Sequence, residues 1–132
     1  MPPDPDQKAP LRTPPRIRFE GRERCVDLHT AFAHLPNESI VRDGHIQKAL
    51  YRWGPMTTAI FAFEKGAQLP AHELEGEAVL HVLSGQMKIE TESETYEAGD
   101  ETLVLLDPNV RYRLTALAPT QLLLTVVLKE TP

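Results

Sequence analysis

Short apolar segments separated by turn residues fill the chain from Ile46 onward, and this pattern constrains the fold more than any other feature. Met56–Phe63 and Gln121–Leu128 are apolar on both faces, which is typical of strands covered by other layers on both sides. Gln86–Thr91 alternates between apolar and polar residues, which is typical of a strand with one wet face. About eight to ten such segments lie between turn signals, so the sequence predicts an all-β sandwich or a closed barrel.

The N-terminal segment departs from this pattern, because half of the twelve prolines lie within the first fifteen residues. Proline lacks an amide donor and fixes φ, so this composition opposes both helix and sheet. We therefore expect residues 1–24 to form a proline-rich arm and residues 25–132 to form one domain. Asp27 is typical of a helix N-cap, and the helical spacing of the next apolar residues predicts a short helix over Leu28–Leu35 that stops at Pro36.

Charge is distributed unevenly between these two parts. Residues 1–24 contain six Lys/Arg and four Asp/Glu, a net charge of +2, whereas residues 25–132 contain eight and fifteen, a net charge of −7. An acidic body repels phosphate backbones, and the chain has no basic stripe with interleaved aromatic residues. We therefore do not expect nucleic acid as a partner.

The composition also bears on the cellular compartment. No apolar run approaches the roughly 20 residues that a membrane-spanning helix needs, and the N-terminus has no stretch typical of a signal peptide. Cys25 is the only cysteine, which excludes an intramolecular disulfide and agrees with a reducing location. We expect a cytoplasmic protein with no membrane partner.

The segment Gly66–Gly85 holds two of the five histidines. His72 precedes the acidic stretch Glu73–Glu77, and the apolar run Ala78–Leu83 then predicts a buried strand. A histidine near the start of such a strand pair is placed to point into a barrel. Strand parity puts His81 on the face opposite to Ala78 and its apolar neighbours, and we expect His45 in a loop or at an edge.

The segment from Arg111 to Ala116 alternates between polar and apolar residues in the same way. Parity therefore predicts that Tyr112 and Leu114 point inward, whereas the flanking arginines point to solvent.

These features give the chain a resemblance to the cupins, small β-barrel proteins marked by the motifs G-x5-H-x-H-x3,4-E-x6-G and G-x5-P-x-G-x2-H-x3-N. Gly66, His72 and Gly85 match the frame of the first motif, and Tyr96–Asp100 resembles the turn that opens the second. The resemblance covers residues 45–128. It implies a cupin-type double-stranded β-helix, a jelly-roll barrel, which here follows a short N-terminal helix and a proline-rich N-terminal arm.

In cupins that bind metal, three histidines and one glutamate from the two motifs hold the ion. The corresponding positions in this chain hold His72, Leu74, Ala78 and Tyr112. The last position falls on Tyr112 only with two extra residues before Asn109, and on Val110 without them. The resemblance therefore implies a ligand position only for His72.

A divalent transition metal is possible but not favoured on this basis. It would need His72, His81 and Glu77 to converge, because imidazole and carboxylate are the donors that such ions take. Parity turns Glu77 and His81 away from His72, and only a one-residue register shift at Gly76 would bring them inward.

Three functions remain open from the sequence. The first is a protein that binds a small, partly apolar molecule in a barrel pocket lined by His72, Leu74, Ala78, Tyr112 and Leu114, with no metal required. The second is a metal-dependent cupin enzyme of the dioxygenase or isomerase type that uses the variant ligand set. The third is a metal-free acid-base enzyme, such as a sugar epimerase, with His72 as base and Tyr112 as acid.

We also expect a homodimer. Strands that are apolar on both faces leave one outer face of a small barrel in need of cover, and a second copy of the chain can supply it.

Overall fold

The computed structural model describes residues 23–38, 40–42 and 44–128. All but the last two residues of the arm expected over 1–24 therefore lie outside the described residues. Within these ranges one helix, α1 (Leu28–Glu38), precedes ten strands. The strands are β1 (Ile40–Arg42), β2 (His45–Trp53), β3 (Met56–Phe63), β4 (Gln68–His72), β5 (Glu77–Ser84), β6 (Met87–Thr91), β7 (Thr95–Ala98), β8 (Thr102–Leu106), β9 (Tyr112–Ala116) and β10 (Thr120–Val127).

Helix α1 begins where the sequence predicts but ends later. Thr30 donates its backbone N–H and its hydroxyl to the Asp27 carboxylate, at 3.3 and 3.0 Å, and these bonds hold the pKa of Asp27 below its usual value. The predicted stop at Pro36 is wrong, because the helix continues to Glu38. Proline removes only one amide donor, and Pro36 is exposed near the end of the helix.

The strands form two antiparallel sheets, which confirms the all-β prediction. The six-stranded sheet has the order β1-β2-β3-β10-β5-β8, and the four-stranded sheet has the order β4-β9-β6-β7. The chain changes sheet at each of the connections β3–β4, β4–β5, β5–β6, β7–β8, β8–β9 and β9–β10. This repeated crossing between two facing sheets is the jelly-roll arrangement.

The core lies between the two sheets and is built from alternate residues of each strand. On β5, Leu80 and Val82 are completely buried, as are Ile89 on β6 and Leu122 on β10. Each such side chain contributes about 1.5–3 kcal/mol of burial free energy. The predicted parity of β6 and β9 is therefore confirmed, and the barrel interior is filled with side chains.

A second layer covers part of the outer face of the six-stranded sheet. Helix α1 lies against β2 and buries Leu35 completely, and Ile60 and Thr58 on the outer face of β3 are also fully buried. This confirms the prediction that Met56–Phe63 is covered on both sides. The cover does not extend to β8, where Leu103 and Leu105 are 54% and 71% exposed. Nowhere in the described ranges is a helix both long and apolar enough to cross a bilayer.

Candidate functional site

The strand registers bring several of the predicted pocket residues to one end of the barrel. His72 at the end of β4 pairs with Tyr112 at the start of β9, and Ala78 near the start of β5 pairs with Val126. The loops before β5 and before β9 meet at the same place, where the Asn109 N–H donates to the Leu74 carbonyl at 2.8 Å. We call this the His72 end.

A direct hydrogen bond links the two polar side chains of the His72 end. The Tyr112 hydroxyl lies 3.0 Å from Nε2 of His72, and the two ring centroids are 4.6 Å apart at an interplanar angle of 52°. The two residues face each other across antiparallel strands, where directly opposite side chains are within contact distance.

The partner of Nδ1, the second ring nitrogen of His72, shows which group donates in the hydrogen bond between His72 and Tyr112. Nδ1 lies 3.0 Å from the Pro70 carbonyl oxygen, which only accepts, so Nδ1 carries the ring hydrogen of the neutral imidazole. Nε2 is then a lone-pair acceptor, and the Tyr112 hydroxyl donates to it. Both polar groups of the pair are satisfied in this arrangement.

Burial controls the protonation of the tyrosine. Tyr112 is 1% exposed, and loss of solvent raises its pKa to about 12. The charged phenolate is disfavoured in a low-dielectric surrounding, so the hydroxyl keeps its proton throughout the neutral range. Tyr112 is therefore a fixed hydrogen-bond donor, whereas His72 is half-buried and within reach of a molecule from outside.

The remaining predicted pocket residues lie at three depths. Leu74 is half-buried beside His72, and Val110 in the facing loop is half-buried too. Ala78 is almost fully buried below them, and Leu114 is completely buried one step deeper on β9. Leu114 thus supports the packing under Tyr112, and ligand contact by these residues stays a prediction.

A cavity of about 410 Å³ opens beside this end, between β8 and the β6–β7 hairpin. Ala78 and Val110 belong to its lining, which joins it to the residues described above. The other lining residues that carry polar or aromatic groups are Glu77, Thr91, Ser93, Tyr96 and Asp107.

An ion pair lies at the rim of this cavity. Arg111 Nη1 lies 4.0 Å from Glu73 Oε2, and both side chains are about half exposed. Such exposed pairs are screened by water and contribute between 0 and about 1 kcal/mol. The pair's clearer consequence is that Arg111 is directed to Glu73.

The residues present do not fit the metal ion that the cupin resemblance implies. Glu77 is exposed and His81 lies on the outer face of β5 beside Leu123 and Leu103, so neither joins His72. The condition for the variant ligand set is not met, because β5 keeps one register with β10 from Glu77 to Val82. In the described part of the chain no three His, Cys, Asp or Glu are grouped to hold a metal.

Gly76 has a different role from the register shift considered above. A Cβ at Gly76 would collide with the carbonyl oxygen of Val127, at the end of β10. Glycine is therefore needed for a close backbone approach at the His72 end.

The sequence did not predict that His45 is buried, since a loop or an edge was expected for it. His45 opens β2 at the opposite barrel end, is 4% exposed and stacks on Phe63 with centroids 5.1 Å apart. Its Nε2 lies 2.9 Å from Gln47 Oε1, and among the described residues its buried Nδ1 has no hydrogen-bond partner. The i, i+2 spacing of His45 and Gln47 was the available signal, since such residues share one face of a strand. We call this the His45 end.

Comparison with known proteins relates the chain to solved structures only. No family model matches it, and no curated protein matches it. A conserved protein of unknown function from Streptococcus pyogenes is 24% identical with a TM-score of 0.64, covering 82% of this chain and 90% of that one. KdgF from a Halomonas species is 17% identical with a TM-score of 0.64, covering 69% and 86%.

Two further likenesses show how varied these neighbours are. An RmlC-like cupin from Shewanella frigidimarina is 14% identical with a TM-score of 0.64, covering 71% of this chain and 87% of that one. Salicylate 1,2-dioxygenase from Pseudoaminobacter salicylatoxidans is 13% identical with a TM-score of 0.69, and the likeness covers 77% of this chain but 34% of the dioxygenase. At such identities the likeness concerns the fold, which enzymes share with proteins of unknown function.

Proposed function

We propose that this protein, whose fold is that of the cupins, binds a small and partly apolar molecule at the His72 end of its barrel. The observation that carries the proposal is the hydrogen bond between His72 and Tyr112 beside half-buried apolar side chains. Ligand sites in barrels combine an apolar lining with a few placed polar groups, and this pair supplies those groups.

The partial exposure of His72 and Leu74 supports a role in binding. His72 and Leu74 are half-buried, so each can lose further solvent contact when a molecule arrives. Tyr112 is fixed in one position by its burial and by its bond to His72. A ligand hydroxyl can take the place of the Tyr112 hydroxyl at His72 Nε2, so that one hydrogen bond is exchanged for another.

The proposal is tested by screening uncharged fragments that carry one apolar ring and one hydroxyl or carbonyl group, using saturation-transfer NMR. Fragments that bind the wild type should weaken about tenfold in His72→Ala and in Tyr112→Phe, which corresponds to losing one buried hydrogen bond of about 1.4 kcal/mol. His34→Ala on α1 and Tyr51→Phe on β2, a strand that β3 and β10 separate from β5, should leave the affinities unchanged. Equal affinities in all five proteins would reject the site.

A second function, metal-free acid-base chemistry, is favoured by the same hydrogen bond. Tyr112 keeps its proton because its pKa is about 12, and Nε2 of His72 becomes available as a base when a substrate replaces the Tyr112 hydroxyl as its hydrogen-bond partner. We propose it as the alternative. Incubation of aldoses and ketoses in D2O tests it: deuterium should enter at carbon next to the carbonyl with wild type and not with His72→Ala, and no incorporation with wild type removes the alternative.

A homodimer and a cytoplasmic location stay predictions. The exposed leucines Leu103 and Leu105 on the outer face of β8 support the dimer, since a second copy would remove them from water. Light scattering at micromolar concentration should give about twice the 14.8 kDa of one chain, and a monomer mass would reject the dimer.

A further inference from the structure

The charged side chains in the described lining of the cavity beside the His72 end are all acidic. Its described lining contains two carboxylates, Glu77 and Asp107, and no lysine, arginine or histidine. Arg111 follows the lining residue Val110 in sequence, but its guanidinium is directed to Glu73. A molecule in this cavity therefore meets negative charge without a compensating cation from the lining.

The uncharged part of the lining favours an organic body. Tyr96 is 41% exposed and presents an aromatic ring, while Ala78, Leu106 and Val110 supply an apolar floor. Aromatic faces attract cations within about 6 Å of the ring centroid. The cavity volume of about 410 Å³ suits a small molecule, since ligand pockets commonly measure about 300–1,000 Å³.

A metal cation is a poor occupant of the same cavity. The Thr91 hydroxyl already donates to the Glu94 carbonyl and accepts from the N–H groups of Ser93 and Glu94. Two exposed carboxylates then remain, and the described residues offer no third acidic, cysteine or histidine side chain to complete a metal site. Small divalent ions in proteins usually need more ligands than this.

We propose that this cavity takes a small organic cation, an ammonium or guanidinium group attached to an apolar body. The charge lies near Glu77 and Asp107, and the body lies on the apolar floor beside Ala78. The inference rests on the proposed function, because Ala78 belongs to both sites, and it adds the charge of the ligand. The net charge of −7 over residues 25–132 attracts such a ligand from a distance.

Three molecules of the same shape test the inference: benzylamine, which is protonated at neutral pH, benzyl alcohol and benzoate. By calorimetry at low salt, benzylamine should bind about tenfold more tightly than benzyl alcohol, and benzoate should not bind, since two exposed ion pairs have this combined effect. Glu77→Gln combined with Asp107→Asn should make benzylamine and benzyl alcohol equal. Raising the salt to about 0.5 M should also reduce the preference.

Glu64→Gln combined with Glu75→Gln is the matched control, because it changes the net charge equally at exposed residues outside the cavity. This control should keep the preference for the amine. Benzyl alcohol binding as tightly as benzylamine, or equal loss of preference in the control, overturns the ligand charge and leaves the proposed function standing. Failure of all three molecules to bind counts against both proposals.

Discussion

Each end of this barrel places a histidine against an aromatic ring, but the two histidines are held differently. At the His72 end the ring is half-buried, and both of its nitrogens have partners, the Tyr112 hydroxyl and the Pro70 carbonyl. At the His45 end the ring is 4% exposed and lies against Phe61 and Phe63. Its Nδ1 is buried without a partner among the described residues.

The difference separates a residue that can act on a ligand from one that fills the core. A half-buried histidine with satisfied nitrogens can exchange one hydrogen bond for another when a molecule arrives. A buried histidine packed against two aromatic rings has no such exchange available, and its unpaired nitrogen lowers the stability of the fold. Histidine type alone is therefore a poor guide to a site, whereas its exposure and partners are informative.

The largest expected effect falls on the backbone of the His72 end. Gly76→Ala would place a Cβ against the Val127 carbonyl, which cannot move without displacing β10. The free energy of unfolding should therefore fall by more than about 3 kcal/mol. Gly99→Ala is the control, because its Cβ would lie 3.2 Å from Gln86 Oε1, the movable end of a side chain. Urea denaturation that shows equal, small losses would mean that the close approach at Gly76 is not required.

Substitution of the two histidines should reduce stability by different amounts. His45→Ala removes a ring packed on Phe63 and should reduce the free energy of unfolding by about 2–3 kcal/mol, whereas His72→Ala should reduce it by less than about 1 kcal/mol. His45→Phe should stay close to wild type, because it keeps the packing and removes the unpaired nitrogen. Urea denaturation measures all three, and a larger loss for His72→Ala than for His45→Ala would contradict the comparison.

Burial of Tyr112 should make the fold less stable at high pH. Its pKa rises from 10.0 in the unfolded chain to about 12 in the fold, so both states are protonated below pH 10. Between pH 10 and 12 the unfolded state loses the proton before the folded state does, and stability falls by about 1.4 kcal/mol per pH unit, or about 2.7 kcal/mol in all. Tyr112→Phe should lack this part of the decline, and Tyr96→Phe should retain it. Parallel pH profiles for wild type and Tyr112→Phe would rule it out.

Much of the fold followed from local pattern. Alternation along Gln86–Thr91 and along the segment after Arg111 predicted which side chains enter the core, and the two-sided apolar run Met56–Phe63 predicted a covered strand. These predictions held because side-chain direction in a strand has a period of two whatever the partner strand is. The predicted end of α1 was wrong, because one proline near a helix end removes only one hydrogen bond.

The candidate site followed from the sequence only in part. Parity predicted the inward direction of Tyr112, whereas its hydrogen bond to His72 depends on the register shift between Leu69 and His72 that sets His72 opposite Tyr112. The cavity with Glu77, Tyr96 and Asp107 was not predicted, because its lining comes from three separate parts of the chain.

The sequence by itself determined the class of fold, the inward direction of Tyr112 and Leu114, and the lack of a complete metal-ligand set at the motif positions. The tertiary structure decided why Gly76 is glycine, that His45 is a core residue, and that Glu77 and His81 stay away from His72. The physical reason is the distance along the chain over which each interaction acts. Turn chemistry and strand parity act between neighbours in sequence. Register and close backbone approach join Gly76 and β5 to β10 across about forty to fifty residues and depend on the assembled sheets.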